Sequence, residues 1–335
     1  MTILVTGGAG YIGSHTCVAL LNAGYNVVIV DNFDNSHPEV IKRIEKITGR
    51  TVINEPGDIR DREFLESVLT RHKCTAVIHF AGLKAVGESA EKPLLYYDCN
   101  VSGTLRLLQA MQRAGVKKII FSSTATVYGT PAYLPYDEKH PLAPESVYGR
   151  TKLTVENMLR DLYTSQPDWS VVILRYFNPV GAHESGLIGE DPKGIPNNLM
   201  PIVAQVAAGR RDHLMIWGND YKTRDGTGVR DYIHVEDLAN GHVSALKLTD
   251  KPNCEVVNLG CGKGYSVLEV IKEFQHISNR EIKYEIGPRR AGDIGEFYAN
   301  PETAKHKLNW QANRDLRKMC ADMWNFQVKN PEGYQ

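Results

Sequence analysis

Short apolar runs alternate with amphipathic segments along the first half of the chain. The apolar runs are five residues long and rich in valine and isoleucine, which is typical of buried strands. They predict strands over residues 2–6, 26–30, 51–55, 75–79, 117–121 and 170–174. Apolar positions at helical spacing between them predict helices over residues 11–22, 39–47, 61–71, 93–114 and 145–163. Repeated strand–helix units predict an α/β fold with a doubly wound parallel sheet, which binds ligands at the carboxyl ends of its strands.

The pattern changes after Arg175. Residues 178–198 are rich in glycine, proline and asparagine, which predicts a long ordered loop that opens a second lobe. Residues 254–259 include a short apolar run that can return a strand to the main sheet. We therefore predict a first domain over residues 1–177 and a smaller mixed α/β substrate lobe over residues 178–335.

A glycine-rich turn lies between the first predicted strand and the first predicted helix. Gly7, Gly10 and Gly13 have the spacing of a dinucleotide-binding fingerprint. Glycine lets the backbone turn sharply and approach a pyrophosphate, whose charge is stabilised at the positive end of the helix. The first βα unit thus predicts a Rossmann-type dinucleotide site.

The identity of the dinucleotide is indicated by the end of the second predicted strand. Asp31 lies 18 residues after Gly13, where a carboxylate can bind both ribose hydroxyls but would repel a 2′-phosphate. No arginine occurs between Asp31 and Ser36, so NAD is favoured over NADP. Asp58-Ile59 and Phe80-Ala81-Gly82 end the next two strands and should line the rest of the crevice.

Candidate catalytic residues occur at the start of the helix predicted over 145–163. Tyr148 and Lys152 are four residues apart and so share a helix face. A nearby ammonium and a positively charged nicotinamide would favour the Tyr148 phenolate, and lowering its pKa by about three units requires roughly 4 kcal/mol. Tyr148 could then take a proton from a sugar hydroxyl, with Thr124 as a relay. Ser122, Ser123 and Thr126 are predicted to be structural.

Composition narrows the class of protein. The 335 residues have a formal net charge of zero and are 42% hydrophobic, which predicts no electrostatic attraction to nucleic acid or to anionic membranes. The six cysteines show no Cys-x-x-Cys pair, so we expect no metal site and a reducing, cytoplasmic setting.

Several long motifs, in order along nearly the whole chain, resemble one enzyme family. The glycine turn, the Ser122–Gly129 run and the Tyr148-x-x-x-Lys152 pair resemble the extended short-chain dehydrogenase/reductase superfamily. Residues 5–15, 79–87, 175–183, 194–201 and 225–234 look more narrowly like UDP-glucose (UDP-galactose) 4-epimerases. The resemblance implies an isomerase of galactose metabolism that oxidises sugar C4 with tightly bound NAD, rotates the 4-keto sugar and reduces it on the opposite face.

The resemblance also implies roles for individual residues. Residues 1–177 become the NAD-binding domain and residues 178–335 the lobe that binds the nucleotide sugar, UDP-glucose or UDP-galactose. Tyr148, Thr124 and Lys152 are the matching catalytic positions. The predicted NAD-binding residues are Gly7, Gly10, Tyr11, Ile12, Gly13, Asp31, Asn32, Asp58, Ile59, Phe80, Ala81, Gly82, Lys84, Asn100, Tyr148, Lys152 and Phe177. The predicted substrate-binding residues are Lys84, Thr124, Tyr176, Asn178, Asn198, Leu199, Trp217, Arg230, Arg290, Asp293 and Phe297.

Three positions depart from the pattern of the family. Cys99 replaces a common cofactor-contacting asparagine and leaves Asn100 beside it. Trp217 stands where phenylalanine often lies near the uracil, and stacking should survive this exchange. Phe297 falls where a small residue accompanies acceptance of N-acetylated sugars, so its bulk predicts a preference for UDP-glucose and UDP-galactose.

Other functions stay open at this point. A nucleotide-sugar 4,6-dehydratase typically carries Asp-Glu directly after the threonine, where this chain has Ala125-Thr126. A reductase that releases its cofactor and a non-catalytic NAD-binding protein are further alternatives. We also expect a homodimer in which the helices predicted over 93–114 and 145–163 pair with those of a second copy.

Overall fold

The strands of the first half form one parallel sheet. The computed structural model of the protein describes residues 1–194, 196, 198–290 and 293–334. In chain order its strands are β1 (Thr2–Thr6), β2 (Asn26–Asp31), β3 (Ile53–Pro56), β4 (Ala76–His79), β5 (Lys118–Thr124), β6 (Ser170–Tyr176), β7 (Asn178–Val180), β8 (Leu214–Trp217), β9 (Val229–His234), β10 (Asn253–Leu259), β11 (Gly264–Ser266), β12 (Tyr284–Gly287) and β13 (Glu296–Phe297). The main sheet has the order β10-β6-β5-β4-β1-β2-β3, and each neighbouring pair is parallel. The predicted doubly wound parallel sheet is confirmed.

Helices cover both faces of this sheet because its strands are apolar on both sides. The helices are α1 (Tyr11–Asn22), α2 (Glu39–Thr48), α3 (Arg62–Arg71), α4 (Val86–Glu91), α5 (Pro93–Tyr96), α6 (Gly103–Arg113), α7 (Val147–Ser165), α8 (Leu199–Ala207), α9 (Val235–Leu246), α10 (Val267–Ser278), α11 (Glu302–Leu308) and α12 (Leu316–Lys329). Ile3 and Val5 of β1 belong to the same apolar cluster as Leu20 of α1, whereas Leu4 belongs to the cluster of Leu107 in α6. None of the described helices is long and apolar enough to cross a membrane.

Two elements differ from their predicted extents near the crevice. β5 runs on to Thr124 rather than ending at residue 121, because its last three residues continue the pairing with β6. The helix predicted over 93–114 is divided between α5, a π-helical segment at Tyr97–Ser102, and α6. The widened turn directs Asn100 inward, where its amide bonds the backbone of Leu83. Such π-helical turns are frequent at functional sites.

The second half contributes smaller sheets. β9 lies between β11 and β13 and also pairs with β7, while β8 and β12 form a separate two-stranded sheet. Helices α8, α10 and α12 pack on one another around buried residues such as Val203, Phe274 and Met319. The predicted smaller mixed α/β lobe is therefore confirmed.

Parts of the second half also pack on the main sheet. β10 pairs with β6 over its whole length, and Leu238 of α9 lies in the apolar cluster of α1. The domain boundary at residues 177/178 stays a prediction, because β10 and α9 follow it in the chain but pack with the first domain. Within the loop predicted over 178–198, Ile195 and Asn197 lie outside the described residues.

Candidate active site

The glycine turn brings backbone rather than side chains to the start of α1. Gly7 has φ +70°, and a Cβ there would lie 2.7 Å from the backbone nitrogen of Ala81. A Cβ at Gly13 would lie 2.2 Å from the Gly7 carbonyl oxygen. Gly10 precedes the first turn of α1, which has no side-chain cap and no acidic residue. The positive end of α1 is therefore directed, uncapped, toward the crevice between β1 and β4.

Asp31 ends β2 beside this turn. Its carboxylate accepts a hydrogen bond from the Ala9 backbone nitrogen at 2.9 Å and another from the Ser36 hydroxyl at 2.8 Å. Asp31 thus ties the glycine turn to the loop after β2, in addition to its predicted contact with ribose. The carboxylate at the expected strand end fits a ribose diol better than a phosphate.

The edge of the crevice beyond Asp31 carries an arginine, Arg60, which lies after β3 and outside the stretch from Asp31 to Ser36. Asn32 donates to Asp58 at 3.1 Å, and Arg60 donates to Asp58 and to Asp98 at 2.8 Å each. The Arg60 guanidinium, hydrogen-bonded to Asp58, lowers the pKa of that carboxyl to about 2. Because Arg60 is already neutralised by two carboxylates, it offers little attraction to a 2′-phosphate.

Residues after β4 form the opposite edge of the crevice. Phe80 and Ala81 follow β4 directly, and both of their backbone nitrogens donate to the Thr6 carbonyl oxygen of β1. The Asn100 side chain, 3% exposed, binds Leu83 and also donates to the Thr151 hydroxyl at 3.1 Å. Asn100 therefore holds this loop against α7, and its predicted contact with NAD stays a prediction. Ile59 is buried beneath the same edge.

Tyr148, Lys152 and Thr124 come together at the carboxyl end of β5. Ser146 caps α7 by accepting a hydrogen bond from the Gly149 nitrogen at 3.0 Å, and this starts the helix just before Tyr148. Lys152 is 5% exposed and donates to the Ser122 carbonyl oxygen at 2.9 Å. Thr124 ends β5 with its hydroxyl 3.1 Å from that of Thr126. The predicted grouping of the three residues is seen in the structure.

The ionisation of Tyr148 differs from what we expected of the protein's own groups. Burial raises the pKa of Tyr148 to about 12, and hydrogen bonding by Thr124 opposes that rise only in part. The Lys152 ammonium lies 6.0 Å from the centre of the Tyr148 ring, and burial lowers its own pKa to about 8. In the protein alone, desolvation therefore dominates the pKa of Tyr148. The lowering of that pKa by Lys152 together with the nicotinamide stays a prediction.

Four of the predicted substrate-binding residues meet at the edge of the second lobe. Asp293 lies between two arginines, 3.5 Å from Arg230 Nη2 and 3.0 Å from Arg290 Nε. The Arg290 guanidinium lies 6.0 Å from the centre of the Trp217 ring, which is 41% exposed at the end of β8. This arrangement puts two cations and an open aromatic face side by side, which suits a diphosphate and a base.

Aromatic side chains close the inner part of the same lobe. Phe297 of β13 pairs with Arg230 of β9, and its ring lies 4.8 Å from that of Tyr136 and 5.2 Å from that of Phe177. Asn178 donates from its side chain to the Asp231 carbonyl oxygen at 3.0 Å. Phe297 and Asn178 are thus brought near Arg230, and Phe177, which is predicted to bind NAD, packs against Phe297.

Tyr176 is placed differently from the other predicted substrate residues. It is 6% exposed, and its hydroxyl is hydrogen-bonded to His242 of α9. Burial raises the pKa of Tyr176 well above its ordinary value. Its phenol therefore joins β6 to α9, and its contact with substrate stays a prediction.

One residue of the crevice was not predicted. Glu190 is 7% exposed and accepts hydrogen bonds from Lys84 at 2.9 Å and from the Asn198 side chain at 2.7 Å. It therefore joins a residue of the first domain to one at the start of α8, directly before Leu199. Glu190 carries no local motif, since its partners are 106 and 8 residues away in the chain.

One group of potential metal ligands occurs within the described ranges. His234, Glu236 and Asp322 have donor atoms within 4.8 Å of one another. Lys318 donates to Asp322 at 2.9 Å, and Arg314 lies 3.2 Å from Glu236. Because both carboxylates already face cations, and His234 donates to Asp322, the chemistry of the group is that of an ion-pair network.

Comparisons with known proteins agree with this arrangement. A family model described as GDP-mannose 4,6 dehydratase matches residues 4–323. The UDP-glucose 4-epimerase of Bacillus subtilis (strain 168) is 56% identical over 336 residues, covering 100% of this chain and 99% of that protein. This chain belongs to the UDP-glucose 4-epimerase family. The resemblance described from the sequence is thus confirmed.

Solved structures of the family have the same fold. The UDP-glucose 4-epimerase of Bifidobacterium longum, in complex with NAD+ and UDP, matches with a TM-score of 0.97 and 53% identity over 100% of both chains. The epimerase from Stenotrophomonas maltophila, with bound NAD and formylated UDP-arabinopyranose, has a TM-score of 0.97 and 50% identity over 99% of each chain. Both relatives therefore hold a dinucleotide together with a UDP compound in this fold.

Proposed function

We propose that this protein is a UDP-glucose 4-epimerase, an isomerase that interconverts UDP-galactose and UDP-glucose with bound NAD. The observation that carries the proposal is the meeting of Thr124, Tyr148 and Lys152 at the crevice that the glycine turn opens. The full-length relatives with that name support the same activity.

The residues of the crevice fit NAD. The glycines leave space that a Cβ at Gly7 or Gly13 would fill with a clash, so backbone can approach a pyrophosphate. Asp31 would offer a carboxylate to the adenine ribose, and Lys152 would bind the nicotinamide ribose. When bound, NAD accepts a hydride from sugar C4 and returns it to the opposite face.

Tyr148 and Thr124 handle the proton of the sugar O4 hydroxyl. Since its pKa is raised to about 12, Tyr148 holds its proton in the protein alone and is well suited to donate it when O4 must be reprotonated. When Tyr148 is the phenolate, Thr124 can hydrogen-bond O4 and give its hydroxyl proton to Tyr148 while it takes up the O4 proton, so that Thr124 ends the step protonated. The predicted phenolate then needs a positive charge beyond that of Lys152, and the oxidised nicotinamide is the group that would supply it.

The second lobe binds the nucleotide. Arg230 and Arg290 donate to the diphosphate, where their planar guanidinium groups make several bonds each. Trp217 stacks on the uracil. Asn178, Asn198 and Lys84 bind polar groups of the nucleotide sugar. Glu190 orients Lys84 and Asn198 by accepting a hydrogen bond from each. Rotation of the 4-keto sugar requires that these contacts leave the sugar loosely held.

The dehydratase alternative is opposed by the residues after Thr124. Ala125 is 1% exposed in a short 3₁₀ turn, and the Thr126 hydroxyl is 3.1 Å from the Thr124 hydroxyl. Neither side chain supplies the additional acid and base that elimination of water requires. The matching family model bears a dehydratase description, but these two positions lack that chemistry.

Phe297 sets the size of the sugar end. Its ring fills the space beside Tyr136 and Phe177, so we expect little room for an N-acetyl group. UDP-galactose should therefore be turned over with a much higher kcat/KM than UDP-N-acetylglucosamine. Comparable values for the two substrates would contradict this role of Phe297.

A direct assay tests the activity. Purified protein is incubated with UDP-galactose and no added NAD, and UDP-glucose is measured; the nucleotide released on heat denaturation is identified in parallel. We expect UDP-glucose and released NAD. Formation of NADH and an oxidised sugar from added NAD would favour an enzyme that releases its cofactor, and no turnover with NAD present would favour a non-catalytic protein.

We propose that two copies of the chain form a homodimer through the helices that follow β4. Leu94, Leu95, Tyr97 and Leu105 are all exposed there, and Leu94 is 82% exposed. Several exposed apolar side chains within one short stretch of helix are typical of an interface. We expect light scattering to give twice the 37.4 kDa mass of one chain, and Leu94→Glu to give the monomer mass. A wild-type monomer, or an unchanged dimer in the variant, would contradict the proposal.

The protein is also proposed to act in the cytoplasm. All six cysteines are free, and Cys17, Cys74 and Cys320 are buried. Free thiols are the rule in a reducing compartment.

A further inference from the structure

Asp231 is a buried carboxylate at the centre of the second lobe. It is fully buried in β9 and accepts three backbone hydrogen bonds: from Cys261 at 2.8 Å, from Gly262 at 2.9 Å and from Ala299 at 3.1 Å. Among the described residues, no lysine, arginine or histidine forms an ion pair with it. Burial raises the pKa of Asp231 to about 6, and the three backbone hydrogen bonds oppose this rise.

The segments that Asp231 joins carry the predicted substrate-binding residues. Arg230 precedes Asp231 in β9, and the backbone carbonyl oxygen of Asp231 accepts a hydrogen bond from the Asn178 side chain at 3.0 Å. Ala299 follows Phe297 by two residues, and Phe297 pairs with Arg230 across β13 and β9. The Asp231 carboxylate thus fixes the position of Arg230, at the diphosphate end of the substrate site, relative to Phe297, at its sugar end.

We propose that Asp231 is a positioning residue that sets both the affinity for the nucleotide sugar and the selectivity at its sugar end. This inference rests on the proposed function. A buried carboxylate without a cationic partner costs free energy, and a fold that needed only stability could use an apolar residue there. The carboxylate instead gathers three backbone donors from two loops, which places Phe297 and Arg230 at one fixed separation.

Asp231→Asn tests the proposal. The asparagine can present only one oxygen, so at least one backbone N–H faces an amide donor instead of an acceptor. We expect KM for UDP-galactose to rise roughly tenfold, with kcat changed less and NAD content unchanged. We also expect the ratio of kcat/KM for UDP-N-acetylglucosamine to that for UDP-galactose to rise several-fold, because Phe297 loses its fixed position.

Asp237→Asn is the matched control. Asp237 is also buried and accepts two backbone bonds, from Asn313 at 2.9 Å and from Arg314 at 2.8 Å. Unlike Asp231 it also pairs with the Arg314 guanidinium, and it does not contact the substrate-binding residues. We expect this control to lower Tm while KM and the substrate ratio stay at wild-type values. Asp231→Asn that lowers Tm with wild-type KM and ratio would overturn the proposal.

A second variant covers the case in which Asp231→Asn does not fold. A Cβ at Gly260 would lie 2.6 Å from Ala299 Cβ and 2.8 Å from Asp231 Oδ2, so Gly260→Ala pushes the same junction apart. It should shift KM and the substrate ratio in the same direction, and unchanged values would overturn the proposal. Wild-type turnover of UDP-galactose is measured first, since its absence would contradict the proposed function rather than the role of Asp231.

Discussion

The buried ion pair between Glu156 and Arg175 should make a large and testable contribution to stability. Both residues are at most 1% exposed, and Arg175 donates to the two oxygens of Glu156 at 3.0 and 2.7 Å. Glu156→Gln removes the negative charge but keeps the shape, so the Arg175 cation is left buried without a counter-ion. Breaking a buried pair in this way costs about 3–5 kcal/mol.

The expected shift in melting temperature follows from the size of the chain. At roughly 2.1 cal/mol/K per residue, unfolding 335 residues has an entropy of about 0.7 kcal/mol/K. A loss of about 4 kcal/mol therefore lowers Tm by about 6 °C. Differential scanning calorimetry of the wild type and of Glu156→Gln at pH 7 measures this shift in Tm. A shift below about 1 °C would refute the reasoning, because it would mean that Arg175 does not need its counter-ion.

The double variant separates charge from packing. Glu156→Gln/Arg175→Met removes both charges, so we expect it to be more stable than Glu156→Gln alone. Lys117→Met is the exposed control, since Lys117 pairs with Asp168 at the surface and should change stability by less than about 1 kcal/mol. A double variant that is no more stable than Glu156→Gln alone would contradict the account.

The pH dependence gives an independent check on the same pair. Burial alone would raise the pKa of Glu156, but its hydrogen bonds and ion pair with Arg175 lower it below its ordinary value. A carboxyl with a lowered pKa stabilises the fold above its unfolded pKa of about 4.3 and loses that contribution as the pH falls. The difference in stability between wild type and Glu156→Gln should therefore shrink below about pH 4.

Three further variants test the crevice itself. Tyr148→Phe should lower kcat about 10²- to 10⁴-fold while NAD stays bound, and wild-type turnover in the variant would exclude Tyr148 as the proton-transfer group. Gly13→Ala should yield protein without NAD, because its Cβ would lie 2.2 Å from the Gly7 carbonyl; normal NAD content would contradict that role. Glu190→Gln weakens the orientation of Lys84 and Asn198 and should raise KM for UDP-galactose about threefold or more; an unchanged KM would show that neither residue depends on it.

The catalytic residues at the end of β5 could be predicted because their types and their spacing along the chain indicate the chemistry. Tyr148 and Lys152 are one helical turn apart, and the structure places both beside Thr124. The glycine turn could be predicted in the same way, since a Cβ at Gly13 would clash with the Gly7 carbonyl oxygen within the same βα unit. The close contact that requires glycine at position 7 is instead with Ala81, which follows β4.

Other features depend on contacts between distant parts of the chain. Glu190 acquires its role only by meeting Lys84, which lies 106 residues earlier. Asp231 can act as a positioning residue only because it accepts hydrogen bonds from Cys261 and Ala299, which lie 30 and 68 residues later in the chain. The raised pKa of Tyr148 depends on burial, which the spacing of Tyr148 and Lys152 does not express. Sequence spacing thus predicted which groups meet, but not how the protein's interior changes their ionisation.

The central claim is that NAD is retained and that the hydride removed from C4 returns to the same sugar. The most direct measurement uses UDP-galactose carrying deuterium at C4, incubated with the purified protein without added NAD and followed by NMR. We expect UDP-glucose that keeps the deuterium at C4, because the label never leaves the active site. UDP-glucose with hydrogen at C4 would contradict the account, as would a stable 4-keto product.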